Sequence, residues 1–239
     1  MKVKLLTSTS NMLDVVYTSA RTCYNAGSPI DMWFDVCTIP TDKKLRLVEF
    51  CIKNMHHSVL EHGYFTFSIE GISRATSLQL VRHRLCSFSQ QSQRYCEFSK
   101  DNLKYVIPKT IQDNSIALEL FEKTMNNLSE VYTELLNLDI PAEDARAVLP
   151  NASETNLNMT CNLREIIHIC NERLCNSAQQ EIRELVSLMR NEILRLEPWL
   201  EPYLQPKCIL INKCTEGKKC CGYLNSYKKH KQNYNSSVS

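Results

Sequence analysis

Apolar residues recur at helical spacing through two long stretches of this chain, and any fold must bury both stripes. Between 115 and 138, Phe121, Met125, Leu128, Tyr132 and Leu135 step by four and three residues, which predicts an amphipathic helix. From Leu163 to Leu196, Ile167, Cys170, Leu174, Ala178, Ile182, Leu185, Met189, Ile193 and Leu196 keep that rhythm. One long helix or two collinear ones should result, stopped by Pro198. A shorter helix is expected from Pro141 to Pro150. Residues 64 to 69 behave differently: Phe65, Phe67 and Ile69 alternate with Thr66 and Ser68, the pattern of a half-buried strand, with Gly71 as punctuation. From Ile72 to about Arg84 the spacing of Ile72, Ala75, Leu78 and Val81 is helical, placing Gln79, Arg82 and His83 on one face. The Ser- and Gln-rich stretch Cys86 to Gln93 reads as a loop.

A chain of 239 residues is long enough for one sizeable core, and the 43% hydrophobic and 23% charged fractions exclude a largely disordered protein. The apolar run at Leu5-Leu6 is broken at once by Thr7 to Ser10, too short for a signal-peptide core. With no window near the roughly 20 apolar residues of a membrane span, a cytoplasmic location is expected. In that setting most of the twelve cysteines should be reduced thiols. The net charge of +2 is uneven, because residues 217 to 239 carry five lysines and no acid. That leaves 23 of the 28 basic residues against 26 acids in the body, which is no general nucleic-acid binder. The expected division is one domain over 1–207 and a Cys- and Lys-rich, loosely held tail over 208–239.

Five glycines, at 27, 63, 71, 217 and 222, cannot form a G-x-G-x-x-G or P-loop motif, so any phosphate must be held by side chains. The best candidate is Arg82-His83-Arg84-Leu85-Cys86-Ser87-Phe88-Ser89-Gln90-Gln91-Ser92-Gln93-Arg94-Tyr95. Three arginines, one histidine, three serines and three glutamines share those fourteen positions. A guanidinium matches phosphate oxygens with a planar fork, and hydroxyls complete the shell. A solvated polar loop has the same composition.

The order of these residues, Arg-His-Arg, seven residues, Ser92, then Arg94-Tyr95, resembles the signature of flavin-dependent thymidylate synthases. The likeness extends through His56, Ser58 and Glu61-His62, Gln79, Ala145 to Pro150, Asn162-Leu163-Arg164, and Arg173 ahead of Ala178 to Ile182. It covers roughly residues 15 to 205. It implies an α+β fold, a central, mainly antiparallel sheet flanked by long helices. It also implies reductive methylation of dUMP to dTMP, with methylenetetrahydrofolate as carbon donor and FAD, reduced by NADPH, as hydride donor. The implied FAD contacts are His56, Ser58, Arg82, His83, Arg84, Gln90, Asn162, Arg164 and His168. The implied dUMP contacts are Gln79, Arg82, Gln90, Gln91, Ser92, Gln93, Arg94 and Arg146, with Arg173 catalytic against the uracil ring. Gln90, Gln93 and His168 depart from the Glu, Gly and Asn common at these positions in the family.

Helix geometry bears on that assignment independently. At about 100° per residue, Arg164 and His168 share a face while Arg173 points about 180° away from Arg164. Either the helix breaks near Asn171 or sites are assembled from more than one chain, as the homotetramer implied by the resemblance requires. His57 and His62 read as structural or surface groups, and His230 as solvated tail. Cys208, Cys214, Cys220 and Cys221, with Cys175, have the thiols for a zinc site, but no C-x2-C knuckle, so free thiols are expected. The implied chemistry uses no cysteine nucleophile. The alternatives are another flavin-linked uracil methylation, or a Cys-rich, metal-binding interaction protein.

Overall fold

A computed structural model describes residues 1–98 and 103–229. Four strands, β1 (Lys2–Ser8), β2 (Tyr64–Ser73), β3 (Cys86–Gln90) and β4 (Glu154–Asn162), form one antiparallel sheet in the order β1-β2-β4-β3. Around it, in chain order, lie α1 (Met12–Thr22), α2 (Pro29–Asp35), α3 (Thr41–Lys53), α4 (Arg74–Leu80), α5 (Lys109–Gln112) and α6 (Ser115–Asn137). These are followed by α7 (Ala142–Ala145), α8 (Leu163–Arg173), α9 (Gln180–Leu196) and α10 (Lys207–Leu210). The expected α+β architecture is present. Among the described residues no helix is long and apolar enough to cross a membrane.

One core joins the buried faces of β2 and β4 to those of α1, α3, α8 and α9. Phe65, Phe67 and Ile69 on β2, and Met159 on β4, are fully buried. Each such side chain contributes about 1.5–3 kcal/mol of burial.

Several local expectations need correcting. Gly71 does not end the strand: at φ 71° it sits in a bulge between Ile69 and Ile72, close against the Met1 backbone, and β2 continues to Ser73. Ile72 is thus a strand residue paired with Thr155, and the helix begins only at Arg74, capped by the Ser73 hydroxyl accepting from the Thr76 amide. Cys86–Gln90 is a strand and no loop, because Cys86, Phe88 and Gln90 turn inward and pair against β4 while Ser87 and Ser89 face out. The Met1 to Leu6 run, read only as a failed signal peptide, supplies β1.

The long stripe from 163 to 196 is two helices, broken between Leu174 and Gln179. The side chains at that break do positioning work. The Glu181 carboxylate accepts from the Ser73 amide (2.6 Å) and hydroxyl (2.7 Å). Gln179 Oε1 accepts from Thr76 Oγ1 (3.3 Å) and Gln79 Nε2 (3.4 Å). Together they fix α4, and the motif that follows it, against the start of α9. Past α10 the chain runs through turns to a helical stretch at 223–229, and His230 falls outside the described residues.

Candidate active site

Beyond α4 the chain turns, with the His83 amide donating to the Leu80 carbonyl at 3.1 Å. This drives His83 into the protein, 5% exposed, while Arg82 and Arg84 on either side stay exposed. His83 Nε2 accepts from Arg173 Nε at 3.1 Å, and Nδ1 lies 3.4 Å from Oε1 of buried Glu165. The His168 ring packs edge-on, centroids 5.6 Å apart. Glu165, His168 and Arg173 all come from α8, spaced so that one face meets His83.

Burial, then the Arg173 and His168 charges, push the His83 pKa down to about 4. His83 is therefore neutral near pH 7, and accepting at Nε2 leaves its proton on Nδ1, facing Glu165. The close pair is thus a polar contact between a neutral imidazole and a carboxylate, not an ion pair. Burial raises the Glu165 pKa, against the opposing pull of His168 and Arg164.

A pH dependence follows. An unfolded histidine titrates near 6.5, so between that value and about 4 the unfolded chain binds a proton that folded His83 refuses. The cost is absent above about pH 6.5 and grows to about 3 kcal/mol as pH falls through the window. Glu165, shifted upward, acts in the opposite sense and blunts the slope. Urea unfolding of the wild type should lose stability across this window, and His83→Gln should flatten the loss. An identical slope in the two proteins would rule out His83 as its source.

A second group gathers near the start of α4. Arg94 pairs with the Glu143 carboxylate, and Arg146 Nε donates to the Glu143 carbonyl at 3.0 Å. Arg74 lies close enough to Arg146 that burial first, and that charge second, lower its pKa. Glu143 thus links Arg94, through its carboxylate, to Arg146, through its carbonyl, and Arg74 lies near Arg146. Ser92 Oγ accepts from the Arg94 amide at 3.0 Å and orders the loop that presents it. Exposed pairs such as Arg94 with Glu143 are worth little, so a phosphate can displace the carboxylate.

The other sequence candidates divide. Gln79 points to Gln179, at the start of α9. Gln90 turns its amide inward, donating to Ser77 Oγ (2.9 Å) and Thr155 Oγ1 (3.1 Å). Gln91 is held by Asn156 through its amide N–H (2.9 Å) and Oε1 (3.1 Å). Gln93 is half-buried with no hydrogen-bond partner among the described residues. Asn162 caps α8 by accepting from the Glu165 amide at 2.9 Å. Arg164 is bound to Glu61 at 2.5 Å, on the side of α8 that packs near the turn His57–His62. His56 and Ser58 are exposed at that end, with the His56 ring 6.3 Å from Tyr24.

No break separates Arg164 from Arg173: α8 is continuous between them, and nine residues of helix set them about 14 Å apart along its axis. Among the described residues, His56, Ser58 and Arg164 make no hydrogen bond or ion pair with His83, His168 or Arg173.

Two residues were missed. Glu165 was readable as the third residue after the Asn162 cap, a usual place for Glu, but its reach to His83 was not. Arg74 carried no signal beyond its charge. Two buried thiols of the core are inert: the hydrogen bond to Cys86, and then burial, hold Cys161 well above its ordinary value, and burial pushes Cys170 up to about 12.

The family model described as "Thymidylate synthase complementing protein" matches residues 4–199. The chain belongs to this family. Its members include relatives named flavin-dependent thymidylate synthase. One from Geobacter sulfurreducens is 40% identical over 222 residues, 93% of this chain and 94% of that protein. Another, from Clostridium tetani, is 35% identical over 244 residues, 95% and 96% of the two chains. The family fold also matches a solved structure, the UMP/dUMP methylase PolB from Streptomyces cacaoi bound with 5-Br dUMP. Its TM-score is 0.70 at 23% identity, over 86% of this chain and 96% of that one. Family membership accounts for nearly all of the described body, so the interaction-protein alternative retains only the residues beyond it.

Proposed function

We propose that this chain methylates dUMP to dTMP as a flavin-dependent thymidylate synthase, using FAD, NADPH and methylenetetrahydrofolate. The observation that carries the reading is His83, buried between two exposed arginines and hydrogen-bonded to a third, Arg173. Complementation of a thymidine-requiring cell, paired with a flavin assay on the purified protein, tests it. A colourless, well-folded protein that takes up no added FAD would overturn it.

The donor set fits a flavin nucleotide. Among the described residues Arg82 and Arg84 make no hydrogen bond or ion pair, and two uncompensated guanidiniums beside each other suit an anionic group. Arg82, His83, Arg84 and His168 would hold it from this end of α8, and His56, Ser58, Asn162 and Arg164 from the other. That span supports sites shared between chains, in the homotetramer expected of the family. When bound, FAD supplies the hydride that converts the transferred methylene into a methyl group.

The nucleotide is oriented by α4. This helix is about 10 Å long, with the Arg74 group at its start and the His83 turn past its end. Ser92, Arg94, Arg146 and Arg74 take the phosphate, and the uracil lies toward Arg173. There the fixed guanidinium offsets negative charge on N3, C4 and O4 and raises electron density at C5, the carbon to be methylated. His83 aims the guanidinium, and Glu165 fixes the imidazole tautomer.

Arg94→Ala and Ser92→Ala should each weaken dUMP binding by about 1–3 kcal/mol in calorimetry, since each removes support for a charged phosphate. Unchanged affinity in Arg94→Ala would move the phosphate elsewhere.

A further inference from the structure

Five cysteines line one cavity of about 200 Å³ beside the α8–α9 link: Cys175, Cys208, Cys214, Cys220 and Cys221. Cys175 comes from the link itself, and the others from the segment past Pro206. The absent C-x2-C knuckle is therefore no obstacle, because the fold brings a ligand from a distant part of the chain.

Cys208 is at the centre of the set. Burial, followed by the nearby Cys175, Cys214 and Cys221 thiols, raises its pKa. Cys220 meets the set through Cys214 alone, the two thiols being hydrogen-bonded to each other. Asn176 Nδ2 donates to Cys221 Sγ at 3.4 Å, the outer contact a thiolate ligand commonly receives. The segment also lacks a packing account of its own, because neither α10 nor the turn Gly217–Lys219 has a buried residue. A metal bound by thiols from both sides of the cavity would supply the anchoring that apolar packing does not.

We propose that Cys175, Cys208, Cys214 and Cys221 bind one structural zinc ion, drawing the four sulfurs in from the cavity wall. Each thiol gives its proton to solvent on ligation. The resulting net negative charge is offset by the four lysines between 207 and 219. Among the described residues, three ligand atoms already lie within 4.8 Å of one another only at His83, Glu165 and His168. Both His83 nitrogens there are engaged, and that set belongs to the site above.

The test uses the whole chain, purified with a non-thiol reductant. Metal analysis should find one zinc per chain, and cobalt(II) chloride added after chelation should give sulfur-to-cobalt charge-transfer absorption. Cys208→Ser and Cys221→Ser should lose the zinc, whereas Cys220→Ser should keep it. If Cys208→Ser fails to fold, the wild-type cobalt spectrum decides. A protein that takes up no zinc, a cobalt spectrum without sulfur bands, or a Cys214–Cys220 disulfide in place of metal overturns the proposal. These readouts are independent of dTMP formation, so failure here leaves the proposed function standing.

Discussion

Arg173→Ala should keep its flavin and lose most dTMP formation, with turnover falling about 10²–10³-fold, the usual cost of removing one charge-stabilising donor. Arg173 donates to His83 with Nε, and its terminal nitrogens, which make no hydrogen bond among the described residues, are those proposed to face the substrate. An interaction that strengthens as charge grows on the uracil appears in rate more than in affinity, so dUMP binding should weaken less than turnover falls. Lysine should rescue poorly, because its single ammonium cannot bind His83 and face the ring together. Glu165→Gln should give a smaller loss with flavin retained, since it acts only through the imidazole. Near wild-type turnover in Arg173→Ala would reduce the residue to a helix-end cation and make Arg146 the next to test.

Arg82→Ala and Arg84→Ala should release flavin while the fold survives. Both side chains are exposed and make no hydrogen bond or ion pair among the described residues, so stability should change by no more than about 0.5 kcal/mol. Each lost bond to a charged group costs about 1.5–3 kcal/mol, which is roughly 10- to 150-fold in flavin affinity. Visible absorbance against added FAD measures it. A double variant that binds FAD as tightly as the wild type would place the cofactor away from the motif.

How much of this was legible in the sequence follows from what each signal depends on. The helix at 115–138 was plain because its apolar stripe is local, and Phe65, Phe67 and Ile69 marked β2 by alternation. The strand Cys86–Gln90 was hidden because serines and glutamines describe a loop until β4 is beside them. Gly71 misled because a bulge and a strand end use the same residue. The candidate segment at 82–95 stood out by its donor density and order. The Glu165–His83–Arg173 contact was not, because it joins two elements through a hydrogen bond rather than through any periodicity.

The sheet order carries a dynamic consequence. β3, which follows directly on the Arg-His-Arg turn, is an edge strand that among the described residues pairs with β4 alone. Breaking that one ladder frees it, whereas opening β2 or β4 requires the loss of two. In amide hydrogen exchange, residues 86–90 belong to the least protected part of the sheet. The candidate binding segment thus lies at the margin of the cooperative unit, where a ligand held there, as proposed, should slow exchange before the interior strands register its arrival.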